Sequence, residues 1–383
     1  MKARAPGVPS RTLLYDRHRA LGGRMVDFAG WEMPQQYRSV REEHAAVRGA
    51  AGLFDVSHMG RVAFRGPGAG VFLQRLVTND IGSLGPGHAQ YNLLCNEAGG
   101  ILDDLVVYRQ PDGSWSAVVN ASNREPDLAW MRAHAGPGVE VGDQSAETSL
   151  LALQGPRAES VLAVLAPGLE LSALPYFGVT QGPVAGVAGV GISRTGYTGE
   201  DGFELFIPTG QVDEVWDAIL AAGSGQGVLP AGLAARDVCR LEAGLRLYGN
   251  DMDVHTNPYQ AGLGWTVKLD KGEFIGSQAL ARLRAAGPDR VLVGIRCEER
   301  TIPRHGARVR VAGEDIGEVT SGTHSFFLGA GIGMASLAAG RAQVGTEVEI
   351  EARGGTGSAE VVKLPFYRGS VKTAVTGAAK QAG

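Results

Sequence analysis

Two adjacent acids, Asp103 and Asp104, sit inside an apolar decapeptide, GGILDDLVVY, that runs from Gly99 to Tyr108. Val106, Val107 and Tyr108 favour a strand, and side chains along a strand alternate between its two faces. Asp104 therefore shares a face with Val106 and Tyr108, and Asp103 shares the other with Leu105 and Val107. A carboxylate framed by a valine and a tyrosine is costly to bury unpaired. Asp104 thus either caps a turn, pairs with an arginine, or faces a ligand pocket. A second acid is placed in a similar way: Glu204 lies between Phe203 and Leu205 at the end of SRTGYTGEDGFEL, Ser193 to Leu205. A carboxylate there can accept two parallel hydrogen bonds from a planar donor such as a guanidinium or an aminopyrimidine. The glycines around Tyr197 and Thr198 do not make a phosphate loop, because no Lys-Ser or Lys-Thr follows them; their plain alternative is a tight turn before a strand.

The candidate cations lie further along. AGLAARDVCRLEAGLRLYGNDM, Ala231 to Met252, begins as a helix and carries Arg236, Arg240 and Arg246. A solvated face is the default for all three, but Arg236 near a helix start offers a guanidinium fork suited to a carboxylate. Arg368, behind Tyr367 in PFYRGSV, is a second such candidate, with a surface arginine as its alternative. The eight histidines are scattered without ligand-like spacing, so no metal site is expected. His58, in FDVSHMG, is read as structural. No Ser-His-Asp or Cys-His arrangement stands out.

These side chains must be held by a mixed framework. SVREEHAAVRGAAG predicts a helix opening near Ser39 and closing at Gly52. GPGAGVFLQRLVTND places Phe72, Leu73, Leu76 and Val77 on one apolar stripe, and VDEVWDAILAAG does the same with Val212, Val215, Trp216 and Ile219. Strands are expected at RVAFRG, GGILDDLVVY, SWSAVVN, SLLALQG and GFELFI. After Gln110, a loop of Pro111, Asp112 and Gly113 closes a hairpin. A three-residue loop puts Asp104 opposite Asn120, whereas a two-residue loop turns Asn120 to the other face; the residues leave both registers open. A linker near Ala286 precedes VLVGIRC, ARVRVAG, GEVTSG, TEVEIEAR and AEVVKL, which predict a small all-β domain, a barrel.

With 383 residues, net charge −4 and 44% hydrophobic residues, the chain suits a globular protein of two or three domains with no nucleic acid as main ligand. Its 57 glycines follow no collagen period, and its three widely spaced cysteines fit a reducing compartment. No apolar run approaches a membrane span. The basic N-terminus lacks a secretory core, and the tail from about Thr373 is expected to be mobile.

Taken together, MVDFAGWEMP at Met25, GLFDVSHMG at Gly52, TND at Thr78, GGILDDLVVY at Gly99, SRTGYTGEDGFE at Ser193, ARDVCRLEAGLRLYGNDM at Ala235, TNP at Thr256, EVTSG at Glu318 and PFYRGS at Pro365 resemble one family. It is the aminomethyltransferase, or T protein, of the glycine cleavage system, and the likeness runs from Leu13 to about Val371. The resemblance implies an α+β chain folded as a three-domain cloverleaf around a central folate channel, with a C-terminal all-β barrel. Residues 1–286 would form the folate-binding region, as two intertwined α+β subdomains, one roughly 53–140. Residues 287–375 would form the barrel, and 376–383 a tail.

The implied reaction moves a methylene carbon from the aminomethyl-lipoyl arm of the H protein to tetrahydrofolate, releasing ammonia. The implied partners are the lipoylated H protein and tetrahydrofolate, with no metal, nucleic acid or membrane, in the cytoplasm or, in a eukaryote, the mitochondrial matrix. By motif, Asp104 matches the catalytic aspartate, Glu204 the acid that holds the pterin, and Arg236 and Arg368 the arginines that meet the glutamate tail. Met59, Tyr91, Val106, Tyr108, Asn120 and Tyr197 match pocket positions. With a reference pKa of about 3.9, Asp104 is expected to be ionised at neutral pH. One departure is Phe326, which follows Ser325 where the family pattern has a proline. Two related activities compete. Iron–sulfur maintenance proteins of this fold carry KGCYxGQE, but this chain has KGEFIGSQ from Lys271 to Gln278, with Glu273 in the cysteine's place. Folate-dependent demethylases of small methylated compounds share much of the pattern.

Overall fold

The strand that carries the paired acids spans Ile101–Arg109 and is second in an antiparallel five-stranded sheet. The sheet order is His88–Cys95, Ile101–Arg109, Trp115–Val119, Gly60–Arg65, Glu140–Asp143. This computed structural model describes residues 8–298, 301–352 and 355–372. Residues 1–7 and the tail from Thr373 lie outside the described residues. Both faces of the five-stranded sheet are covered, which explains why the strand Ile101–Arg109 is apolar from Ile101 to Tyr108 apart from its two acids. Leu105 and Val107 pack under the helices Ala69–Leu76 and Arg124–His134, with Phe72, Leu73, Leu76, Leu128 and Met131. Each such side chain contributes about 1.5–3 kcal/mol on full burial. Val106 and Tyr108 face the other way, into a cluster with Phe54, Val118, Ala152 and Phe206 that joins this sheet to the next. The predicted alternation of the strand is borne out, and Asp104 lies on the inter-sheet side.

The second sheet has six strands in the order Val179–Val184, Val187–Ser193, Gly202–Pro208, Thr148–Gln154, Ala51–Asp55, Val228–Pro230. The chain enters it at Ala51, leaves to build the five-stranded sheet, and returns at Thr148, so the two lobes are interleaved. Val212, Val215, Trp216 and Ile219 are all buried against it, as their spacing predicts. The strands from Arg290 to Val362 close into a six-stranded barrel. The fold is therefore the expected α+β architecture with a C-terminal β-barrel.

Two local readings are corrected. The helix capped by the Ser39 hydroxyl, which accepts from the Glu42 N–H, ends at Gly49 rather than Gly52. Gly52 lies within the strand Ala51–Asp55, where an added Cβ would stand 2.5 Å from Val47 Cγ2, so its role is close helix–strand approach rather than termination. The arginines after Ala235 are not a solvated face. Arg240 is buried and donates to Asp237, Asp251 and the Ser321 hydroxyl of the barrel, at 2.8, 2.7 and 2.9 Å. Arg246 donates to the carbonyls of Ala261 and Gly244.

A second buried charge network ties the lobes together. Glu242 accepts from His44 at 2.8 Å, Arg48 at 2.6 Å and Ser325 at 2.6 Å. Arg48 also holds Glu200 at 2.9 Å. Phe326, the departure from the family pattern, packs its ring 5.5 Å from His44. The barrel loop thus docks Phe326 onto His44 of the helix Val40–Gly49 and the Ser325 hydroxyl onto Glu242 of the helix Leu233–Glu242. Arg48 balances two acids that are themselves buried, with side-chain exposures of 1% for Glu200 and 0% for Glu242. Replacing Arg48 by Met is expected to lower the apparent unfolding free energy by about 3–5 kcal/mol, because it strands buried charge. Urea unfolding followed by tryptophan fluorescence checks this; a loss under about 0.5 kcal/mol would contradict it.

Candidate active site

Gly113 decides the geometry of the acids. It takes a left-handed φ of 85°, and Gln110 N–H donates to Ser114 O at 2.8 Å, closing the three-residue loop. The pairing continues from Arg109 with Trp115 through Val106 with Val118. Two further steps place Asn120 opposite Asp104, which settles the register that the residues left open. Asn120 Nδ2 lies 2.8 Å from Asp104 Oδ1, 2.8 Å from Asp103 Oδ1 and 3.2 Å from Asp104 O. On the other side of the strand, Tyr91 pairs with Val106 and reaches diagonally to donate its hydroxyl to Asp104 Oδ2 at 2.9 Å. Asp104 thus has an asparagine on one oxygen and a tyrosine on the other. No ion pair among the described residues includes it.

That environment changes its acidity. Burial first, and then the neighbouring Asp103 charge, push the Asp104 carboxyl up to about 7, while the Tyr91 and Asn120 hydrogen bonds oppose the rise. The expectation of a fully ionised Asp104 at neutral pH is therefore corrected: both protonation forms are populated there.

Glu204 comes from the other sheet. Its Oε2 accepts from the Thr195 hydroxyl and lies 3.5 Å from the Tyr108 hydroxyl. Tyr108 sits on the Asp104 face of its strand, so it links the acid-bearing face of one sheet to Glu204 of the other. No hydrogen bond to Glu204 Oε1 is present among the described residues. The Arg236 guanidinium lies 4.7 Å over the Tyr197 ring, and its Nη1 is buried without a hydrogen-bond partner. Burial lowers its pKa, and the charge of Glu204 opposes that fall. A guanidinium whose Nη1 is buried and unsatisfied favours an incoming anion. Tyr197 donates its hydroxyl to Arg246 O, which fixes the ring. Met59 and Val106 pack on the inter-sheet cluster beside Tyr108.

Of the candidates, Arg368 stands apart. It is exposed and makes no polar contact with the others. Its segment is nonetheless anchored nearby: Tyr367 N–H donates to Glu242 O at 2.8 Å, and Ser370 bonds Glu200 Oε2 at 2.6 Å. His58 is buried edge-on to Phe28, and burial pulls it down to about 4, leaving it a neutral packing group. Lys271 of KGEFIGSQ donates to the carbonyls of Gln74, Val77 and Asn79 at 2.7, 2.6 and 2.6 Å. It thereby caps the C-terminal end of the helix Ala69–Leu76.

Sequence reasoning missed four residues. Thr195 supplies the hydroxyl on Glu204. Trp265, 57% exposed, stacks on Tyr91 with ring centroids 5.9 Å apart. Asn123 Nδ2 donates to Asp103 at 2.8 Å. Asp127 is buried behind Asp103. One signal was available: Asp127 falls four residues before Met131, on the apolar stripe of its helix, where an acid is out of place.

With this geometry in hand, the chain compares with known proteins as follows. Residues 14–271 match the GCVT N-terminal domain family, and residues 290–368 match the glycine cleavage T-protein C-terminal barrel domain. The aminomethyltransferase of Symbiobacterium thermophilum is 50% identical over 364 residues, covering 94% of this chain and 97% of that protein. That of Rubrobacter xylanophilus is 50% identical over 370 residues, covering 96% and 97%. The crystal structure of the glycine cleavage system aminomethyltransferase T from Bartonella henselae superposes with a TM-score of 0.88 at 37% identity, covering 95% of this chain and 99% of that one.

The raised pKa of Asp104 makes stability depend on pH. An aspartate titrating near 7 when folded and near 3.9 when unfolded holds an extra proton in the folded state between those values. Its contribution to stability therefore declines as pH rises from about 4 to 7, and the penalty is complete above that. Asp104→Asn removes the penalty, so its melting temperature is expected to exceed the parent's by at least about 2 °C at pH 8, with a smaller gap at pH 5. Calorimetry at both values checks this; equal falls at the two pH values would mean that Asp104 is a stabilising anion.

Proposed function

The chain belongs to the glycine cleavage T-protein family, and from that premise we propose how its residues act on tetrahydrofolate and an aminomethyl group carried by a lipoylated H protein. It is an aminomethyltransferase of the glycine cleavage system. In the proposed reaction, the transferred carbon loses its bonds to the lipoyl sulfur and to the amine. It gains bonds to two folate nitrogens, and their two protons end on the thiol and on ammonia.

Tetrahydrofolate supplies the nucleophilic nitrogens; the chain supplies position and proton handling. Asp104 accepts a proton from a folate nitrogen and returns it to a leaving group. A carboxyl near 7 suits both halves of that exchange at neutral pH. Tyr91 and Asn120 keep its two oxygens oriented, and the anion stabilises positive charge as ammonia departs. Glu204 accepts the pterin's amino group and adjacent ring N–H. Arg236, with its unsatisfied Nη1, meets a carboxylate of the glutamate tail, and Arg368 meets another from the exposed segment. Met59, Val106, Tyr108 and Tyr197 offer apolar and aromatic faces to the flat ring. No helix among the described residues is long and apolar enough to cross a membrane, and the curated relatives are bacterial; we place the reaction in the cytoplasm.

The observation that supports this reading is that Tyr108, on the Asp104 face of its strand, reaches Glu204 of the other sheet at 3.5 Å, so both acids border the space between the two sheets. The test is to incubate the protein with aminomethyl-loaded H protein and tetrahydrofolate, measuring ammonia and methylenetetrahydrofolate. Both are expected to form in equal amounts. Asp104→Asn is expected to slow turnover roughly 10²–10⁴-fold while changing the folate dissociation constant less than about threefold. Normal folate binding without either product would reject the reading.

A further inference from the structure

Asp103 and Asp127 face each other behind the site, and the proposed reaction gives neither a task. Asp103 is fully buried, and Asp127 is 2% exposed on the helix Arg124–His134. The two carboxyls act on each other: Asp127, as a hydrogen-bonding partner, favours the Asp103 anion, and the Asp103 charge disfavours ionisation of Asp127. Asp127 Oδ2 is buried and accepts no hydrogen bond. Asp103, by contrast, is saturated with donors. Asn120 N–H reaches its Oδ2 at 3.1 Å, and Asn120 Nδ2 and Asn123 Nδ2 both reach its Oδ1 at 2.8 Å. None of the ion pairs among the described residues includes Asp103, Asp104 or Asp127. Among the described residues, no cluster of acids, histidines or cysteines is placed to hold a metal ion.

Two carboxylates in contact repel unless a proton lies between them. The donors decide where it resides: the anion belongs on the carboxyl that accepts three N–H bonds, and the proton on the one that accepts none. We propose that Asp127 is the permanently protonated member of a proton-sharing pair, and that the resulting Asp103 anion is a positioning residue that acts on Asp104 through Asn120. Asp103 grips Asn120 at both its backbone N–H and its side-chain amide. That grip aims the same amide at Asp104 Oδ1. The fixed anion next in the chain also makes Asp104 harder to ionise. Consistent with this, burial followed by the Asp103 charge pushes Asp127 up to about 10.

The other titratable groups around Asp104 do not supply this effect. Tyr91, Tyr197 and Tyr248 come from the neighbouring strand and two loops, and burial leaves all three as neutral phenols at pH 7. Arg246 acts on Tyr91 and makes no ion pair with the acids. Among the described residues, the one buried acid that touches Asn120 besides Asp104 is Asp103.

This inference rests on Asp104 being the group that moves the proton, and its test separates the two claims. The pH dependence of kcat/KM is measured with H protein and tetrahydrofolate for the parent, Asp127→Asn, and the double variant Asp103→Asn with Asp127→Asn. Asp127→Asn keeps a donor to Asp103 and keeps its charge, so the acid limb stays within about 0.3 units of the parent's. The double variant has nearly the same shape but no charge, so the limb moves down by roughly one unit or more. Equal limbs in the two variants, whether both shifted or both unmoved, overturn the proposal. Infrared titration of the parent supplies a readout that needs neither turnover nor a variant fold. A protonated buried carboxyl persisting above pH 8 is expected, and its absence overturns the proposal even if Asp104 proves catalytic.

Discussion

Everything about this site follows from placing the Asp104 carboxylate on an apolar strand with no cation to balance it. A buried carboxylate without a counter-charge survives through hydrogen bonds and through protonation. Here Tyr91 takes one oxygen and Asn120 the other. The remaining cost appears as a carboxyl that titrates near 7 instead of near 4. A surface arginine beside Asp104 would have made the strand cheaper to bury, and would have made the carboxylate a poor proton acceptor. The strand tolerates the acid because both its faces are otherwise filled: Leu105 and Val107 lie beneath two helices, and Val106 and Tyr108 lie against the second sheet.

The partner sheet must then be held in register with this one, because Glu204 and Asp104 share no local structure. Tyr108 makes the direct link. The wider link is electrostatic. Arg48 joins Glu242 and Glu200, Arg240 joins Asp251 and the barrel residue Ser321, and Ser325 of the barrel reaches Glu242. Buried pairs of this kind add little net stability but are severe to break, so their effect is to specify one arrangement of the lobes. The Tyr367–Ser370 segment ends on the same network, which sets Arg368 beside the loop that carries Tyr197.

Local pattern made much of this legible. Period-two alternation separated Asp103 from Asp104 before any contact was known, and helical spacing placed Trp216 and its neighbours inward. What local pattern could not supply was the third dimension. The register of the hairpin turns on the backbone of one residue, Gly113, and a slip of one would have sent Asn120 away from Asp104. Arg240 has the spacing of an exposed helix face, yet it is buried because the barrel closes over it, and nothing near it in sequence announces the barrel. Gly52 follows a helix like a stop signal but serves close packing of a strand. Asp127 carried a signal, an acid on an apolar stripe, but its meaning required seeing Asp103 across from it.

The most direct measurement of the central claim is a crystal structure with tetrahydrofolate bound. The account predicts the pterin's amino group and ring N–H on the Glu204 carboxylate, a folate nitrogen within about 3.2 Å of an Asp104 oxygen or one water away, and a tail carboxylate on Arg236. A pterin seated on Glu204 with its reacting nitrogens turned away from Asp104, or one bound outside the cleft between the two sheets, would contradict it.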